Sequence, residues 1–296
     1  MTILVLGFLT VFVPVTLVLW FALSSNRDRF EWVVKFLLVG NVTFIFFQIG
    51  PWAITSYYLR YVVIAFFLLG AIYSYLLKNW SGLSTRKGSV RGLLGKAALA
   101  MVFIWLNTVS VIGQLPPETS VSLRFPLKNG SYYLLQGGTT WTTNLFHSLI
   151  PTGKYAVDIV QLDDFGNRAK TFLPHQLTEY HIYGSGLYSP CTGTVKQAVG
   201  SLTDNIPPAV DWEHREGNHV AISCNGVEVT LLRMKAGSLK VSNGDTVTAG
   251  QPIGMVGNSG YSDEPHLHIQ VNTEDGHPMP IEFNGRFLST NDVYNN

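Results

Sequence analysis

Hydrophobic and polar positions change their pattern once along the chain, near residue 115. Before that point apolar residues run together in long blocks with few charges. Thr2–Leu23 (TILVLGFLTVFVPVTLVLWFAL) carries no charge, and further apolar runs cover Trp32–Ile54, Tyr57–Leu77 and Leu93–Leu115. Each is close to the ~20 residues that a membrane-crossing helix needs. Four such runs in succession predict four transmembrane helices rather than helices of a soluble core. The first run has no basic stretch ahead of it and three more follow, so it reads as an uncleaved helix and not as a signal peptide. Lys35 and Lys96 stand near the starts of their runs, where a long side chain can snorkel to the interface. Trp32, Trp52, Tyr57 and Trp80 stand near run ends, as interfacial aromatics do.

Beyond residue 115 the runs shorten. PPETS and its surroundings, residues 116–130, read as a linker. From Ser131 to the end, apolar stretches of strand length alternate with Gly, Asn, Asp and Pro clusters. YYLLQGG, YAVDIVQL, GTVKQAV, NHVAISC, VEVTLLRM, PIGMVG and HLHIQV predict strands, and DDFGN, NGD, AGQ and GNSG predict tight turns. No helical period of useful length appears. The expected organisation is a four-helix membrane anchor over 1–115, the linker, and an all-β domain over 131–296.

Charge adds the orientation. Charged residues are 13% of the chain and mean hydropathy is positive, as the membrane part requires. The loop between the third and fourth runs holds Lys78, Arg86, Lys87, Arg91 and Lys96, the first loop holds Arg27 and Arg29, and the second holds only Arg60. The positive-inside rule puts the first and third loops in the cytoplasm. The β domain is then extracytoplasmic, periplasmic or extracellular, on an integral protein of the cytoplasmic membrane. A net charge of +1 gives no pull toward nucleic acid. Cys191 and Cys224 both fall in the outer domain, where they form either one disulfide or two buried thiols.

All eight histidines, 147, 175, 181, 214, 219, 266, 268 and 277, lie in that domain. His175, His181, His214 and His277 sit among polar or turn residues and read as solvated. His266 and His268, in GNSGYSDEPHLHIQV, are two residues apart in a predicted strand and so share a face. Such a pair is either a solvated sheet face or part of a metal site, since neutral imidazole is a common zinc ligand.

Several segments together resemble the LytM and lysostaphin-type zinc endopeptidases that cut peptidoglycan cross-links. YGSGLYSPCTGTV is similar to that family's entry into its central sheet, GNHVAI to its next core strand, and YAVDIV to the strand bearing its metal-binding aspartate. LKVSNGDTVTAGQPIGMVGNSG followed by PHLHIQV resembles its C-terminal core. The resemblance implies an antiparallel β-sandwich, or barrel-sandwich hybrid, with a groove. It implies Zn2+ held by Asp158 and His268, with His266 as a catalytic histidine beside the metal. Two positions depart from the family. Lys154 stands four residues before Asp158, where the family has its first histidine ligand, and a protonated lysine has no lone pair to offer. The nearest replacement is His147 in TNLFHS. Arg233 stands where a second catalytic histidine is usual; it cannot act as a base, but it can stabilise an oxyanion.

Two functions follow from the resemblance. One is a membrane-anchored zinc peptidase acting on peptidoglycan or a related extracytoplasmic peptide. The other is an inactive relative that binds cell-wall peptides or regulates a partner hydrolase, with Lys154 and Arg233 as signs of decay. VSNGDTVTAGQPIG also looks like a lipoyl or biotinyl carrier core, but Lys196, Lys235 and Lys240 do not occupy a hairpin tip convincingly. Asn41, Gln48 and Asn107 fall within membrane runs and are expected to hydrogen-bond between helices.

Overall fold

Apolar runs of this length form helices because only a helix satisfies its own backbone away from water. In the computed structural model, which describes residues 2–24, 28–76 and 90–296, they become α1 (Thr2–Leu23), α2 (Arg29–Ile49), α3 (Leu59–Leu76) and α4 (Val90–Gln114). All four are long and apolar enough to cross a membrane. Arg27, Lys78, Trp80, Arg86 and Lys87, used above for orientation and interface, lie outside the described residues. The described chain divides into two compact units, Thr2–Val111 and Ile112–Asn296.

The helical unit departs from expectation at the end of its second helix and at Arg60. The second run ends as a helix at Ile49 rather than Ile54, because Gly50 is extended and Pro51 offers no N–H. A single 3-10 turn, Trp52–Ile54, follows. It buries Trp52 completely just past the end of α2, with Nε1 donating to the Phe46 carbonyl at 2.9 Å. Lys35 extends toward the helix ends, to Ser24 just past α1 and to Glu31 in the first turn of α2. It is buried 3.3 Å from Glu31, one turn earlier on the same helix face, and donates to Ser24 Oγ at 3.2 Å. Arg60 lies in the first turn of α3 rather than in a loop, buried over the Phe47 ring at 4.0 Å. The expected polar contacts between helices are present: Gln48 Nε2 donates to Asn107 Oδ1 at 2.6 Å, and Asn107 Nδ2 donates to Asn41 Oδ1 at 3.1 Å. Such bonds are worth about 0.6–2 kcal/mol each in a membrane bundle.

The second unit contains β1 (Val121–Leu123), β2 (Ser131–Gln136), the single-turn helix α5 (Leu145–Ser148), β3 (Val157–Leu162), β4 (Gly186–Tyr188), β5 (Gly193–Val199), β6 (His219–Cys224), β7 (Val227–Leu232), β8 (Thr246–Val247), β9 (Pro252–Met255), β10 (Leu267–Thr273), β11 (Ile281–Phe283), β12 (Arg286–Phe287) and β13 (Val293–Asn295). The seven segments read as strands from their patterning are all strands. Eight strands form the main sheet in the order β13-β2-β3-β10-β7-β6-β5-β8, each neighbour antiparallel. β4 and β9 pair alone, and β1-β11-β12 make a third sheet. Within it β1 and β11 run parallel, a departure from a wholly antiparallel domain. Strands joined by a tight hairpin must be antiparallel, whereas these two are far apart in the chain and free of that constraint.

Strand alternation sorts the side chains. Ile159, Val220, Ile222, Val229, Leu231, Leu267 and Ile269 enter one hydrophobic core. The intervening residues point to the other face. On that face Asp158 pairs with His268, His268 with Leu232, and Leu232 with His219, one row across β3, β10, β7 and β6. The register of β6 and β7 is set by Asn225-Gly226, both at positive φ, as a two-residue hairpin turn requires. Cys191 and Cys224 are joined as a disulfide, so the alternative of two free thiols is set aside.

Candidate metal centre

The site begins with the pairing of β3 and β10. Because Asp158 and His268 are directly opposed, their side chains start about 5 Å apart on one face. Asp158 Oδ1 meets His268 Nδ1 at 2.9 Å. The other nitrogen, Nε2, faces Gln270 Oε1 at 3.4 Å, two residues on along the same strand face. His147 arrives from a different direction, on α5. Asn144, just before that turn, is almost fully buried. Its Nδ2 donates to the carbonyls of Ala156 at 3.0 Å and Lys154 at 3.2 Å. Its Oδ1 lies 2.9 Å from His147 Nδ1, which is also 3.0 Å from the Ala156 carbonyl. Two acceptors around Nδ1 place the imidazole proton there. Nε2 faces Asp158 Oδ2, 3.2 Å away: in the imidazolium it donates there, and in the neutral ring it carries the lone pair a metal would take.

His147, Asp158 and His268 thus offer ligand atoms that all lie within 4.8 Å of one another. Two imidazole nitrogens and a carboxylate oxygen are a donor set suited to zinc, with a fourth position left for water or substrate. The supporting bonds from Asn144, the Ala156 carbonyl and Gln270 are the outer contacts that fix an imidazole's orientation in such sites. The residues present fit the metal.

Burial alone would raise the Asp158 carboxyl, but the imidazoles of His147 and His266, with hydrogen bonds from His147 and His268, hold it well below the usual carboxylate range. Burial lowers His268, and Asp158 only partly offsets this, leaving its pKa at about 4. Burial also disfavours charge on His147, yet its attraction and hydrogen bond to Asp158 prevail and raise it. Near neutral pH the site presents one ionised carboxylate and, at His268, a neutral imidazole with a free lone pair.

His266 lies beside the cluster. Its Nδ1 donates to the Glu264 carbonyl at 2.8 Å, and its Nε2 is 3.6 Å from Asp158 Oδ1. Glu264 is held in turn by Arg168, whose Nε lies 3.0 and 2.9 Å from the two carboxylate oxygens and whose second guanidinium nitrogen lies 2.8 Å away. Both partners are buried. Arg233 sits at positive φ and donates to the Arg215 carbonyl. Its Nε has no hydrogen-bond partner among the described residues, and burial lowers its pKa while attraction to Asp158 raises it. Lys154 is exposed, with Nζ 5.1 Å from the Tyr155 ring centre; it stays out of the cluster. Of the four histidines read as solvated, His181 and His214 pair with Asp163 and Asp211 away from this site.

Several contributors escaped the sequence. Arg168 is 96 residues from Glu264 and carries no pattern pointing to it. Asn144 and Gln270 had findable signals, one as the residue capping the turn that bears His147, the other by strand alternation from His268. His219 was read only as part of a core strand. It is buried on the same row as His268, with Nδ1 2.9 Å from the Gly217 carbonyl and an Nε2 lacking a hydrogen-bond partner among the described residues.

Residues 179–280 match the sequence profile of Peptidase family M23. His266, His268 and Arg233 fall inside that segment; His147 and Asp158 precede it. No curated protein matches the chain. Among solved structures, the chain is similar to a zinc containing peptidase from Vibrio cholerae, with 18% identity over 54% of this chain and 39% of that one and a TM-score of 0.34. It is similar to the catalytic domain of the antimicrobial peptidase lysostaphin from Staphylococcus simulans, with 22% identity over 36% and 80% of the two chains and a TM-score of 0.25. The SpoIIIAH and SpoIIQ complex gives 15% identity over 53% and 96%, with a TM-score of 0.36. With the matched segment and the cluster taken together, the C-terminal unit carries an M23/LytM-like peptidase-family domain whose His147–Asp158–His268 triad is consistent with a catalytic zinc site.

Proposed function

We propose that this domain is a zinc peptidase hydrolysing peptide bonds of peptidoglycan, or of a related extracytoplasmic substrate, and that α1–α4 hold it to the membrane. The observation that carries the reading is the convergence of His147, Asp158 and His268 within 4.8 Å, with His266 Nε2 turned toward the same carboxylate. The assignment of residues 1–115 as anchor, 116–130 as linker and 131–296 as catalytic domain belongs to this proposal. So does a sandwich-type groove running along the row from Asp158 to His219.

Zinc, when bound by His147, Asp158 and His268, would lower the pKa of a water to about 7 and polarise the scissile carbonyl. The chain's own residues supply the rest. Because His266 Nδ1–H donates to the Glu264 carbonyl, the nitrogen left with a lone pair is Nε2, on the side of the cluster. There it accepts a proton from the attacking water and returns one to the leaving amine. Arg233 is a fixed cation attracted to Asp158 and supplies electrostatic stabilisation to a developing oxyanion. Its anchorage to the Arg215 carbonyl favours a second reading, in which the groove binds cell-wall peptides without cutting them.

Digestion of peptidoglycan by the full chain in lipid nanodiscs with zinc, read as new amine termini by mass spectrometry, separates the two. Products that vanish in His266→Ala and His268→Ala support the peptidase. One zinc per chain, peptide binding and no product in any condition would leave the binding module.

A further inference from the structure

The turn that presents His147 to the metal centre has a second face. While His147 is buried, Leu145 is 46%, Phe146 55%, Leu149 79% and Ile150 43% exposed, and Trp141 just before them is 46% exposed. The chain is uncharged from Asn129 to Gly153, and Lys154 then stands exposed at the end of this ridge. Scattered surface hydrophobics need no explanation, but five exposed within ten residues, without a charge among them, make an apolar ridge along this turn.

The loop that leads into this ridge is tied to the end of α4. Gly113, in the last turn of α4, belongs to the C-terminal unit. Its carbonyl accepts the Thr139 N–H at 3.0 Å. A Cβ at Gly113 would lie 2.1 Å from Thr140 Oγ1 and 2.6 Å from Thr143 Oγ1, so the loop preceding Asn144 is seated tightly on the helix end. α4 is uncharged from Ala97 through Gln114, and the chain stays so to Pro117. A crossing takes ~20 residues, so nearly the whole of that stretch is needed and the outer edge of the apolar layer falls close to Gly113.

We infer that Trp141, Leu145, Phe146, Leu149 and Ile150 dip into the outer interface of the same bilayer that α4 crosses, and that the metal centre therefore works at the membrane surface. The composition suits that occupant. A tryptophan belongs at headgroup level, aliphatic and phenyl side chains belong just below it, and Lys154 can reach lipid phosphate. The inference rests on α1–α4 crossing a membrane and is independent of peptidase activity.

The test uses the full chain, labelled with 5-fluorotryptophan, in lipid nanodiscs. Trp141→Phe assigns one 19F signal and Trp105→Phe assigns that of a tryptophan within α4. Lipid carrying a headgroup-depth nitroxide should abolish most of the Trp141 signal, and a water-soluble gadolinium chelate should spare it relative to free 5-fluorotryptophan. The Trp105 signal must respond to membrane-borne nitroxide; if it does not, the membrane reading itself is wrong. If Trp105 responds and Trp141 is relaxed chiefly by the soluble chelate, the ridge faces water and the inference is overturned. Protection of Trp141 from both agents would place protein over the ridge, a second copy or another partner, and would equally overturn it.

Discussion

Asn144→Ala is the most informative single change in the metal centre, because that side chain does nothing but hold others. It accepts from His147 Nδ1 and donates to the Lys154 and Ala156 carbonyls. After truncation the Ala156 carbonyl keeps the His147 N–H, at 3.0 Å, while the Lys154 carbonyl loses the donor described for it here. A buried acceptor left unpaired costs about 1–3 kcal/mol. The second consequence is on the metal. His147 keeps one of its two Nδ1 acceptors, so it remains present but less firmly oriented, and removing such an outer partner lowers metal affinity about 10–100-fold. The assay is competition for zinc against a chromophoric chelator, with the full chain in detergent at fixed pH and thermal unfolding recorded in parallel. Asn144→Asp separates the two effects, since it keeps an acceptor for His147 and loses the donor: stability should fall while zinc affinity is better retained than in the alanine variant. Unchanged zinc affinity in Asn144→Ala, alongside a lowered melting temperature, would refute the reasoning and show that His147 is either oriented by other means or not a ligand.

Other outcomes follow from the same geometry. His268→Ala should abolish zinc binding, measured by metal analysis, whereas His266→Ala should retain one zinc per chain and lose about 10²–10⁴-fold in peptide hydrolysis. Arg168→Met leaves the Glu264 carboxylate buried and unpaired and should cost about 3–5 kcal/mol, while Arg168→Met with Glu264→Leu should recover most of that in chemical denaturation. Zinc affinity should fall as pH drops through the raised pKa of His147, with a proton released per zinc, and His268 should contribute no proton until pH approaches about 4. In the metal-free protein the sign reverses: a raised His147 stabilises the fold fully below its unfolded value and loses that contribution as pH rises through its folded pKa, which denaturation at several pH values would show. Reducing Cys191–Cys224, 33 residues apart, should cost about 4 kcal/mol by the loop-closure argument, measured as a shift in the unfolding midpoint.

What the sequence determined by itself is whatever depends on neighbours in the chain. Four long apolar runs are enough to require helices, since a backbone away from water must bond to itself. Period-two alternation is enough to mark β2, β3, β5, β6, β7, β9 and β10, and to put His266 and His268 on one face. Even His147 was within reach once the resemblance called for a ligand ahead of Asp158, because Lys154 has no lone pair and His147 is the only histidine before it. The end of α2 at Gly50-Pro51 was also written locally and overlooked beneath the apolar run. Tertiary structure decided the rest. Whether Asp158 faces His268 is a matter of register between strands 110 residues apart, and one residue of slip would turn one of them into the core. The Arg168–Glu264 pair, the Cys191–Cys224 bond and the parallel pairing of β1 with β11 are likewise contacts between distant segments. No local propensity encodes them, because each exists only where the packed core brings two stretches of chain to the same place.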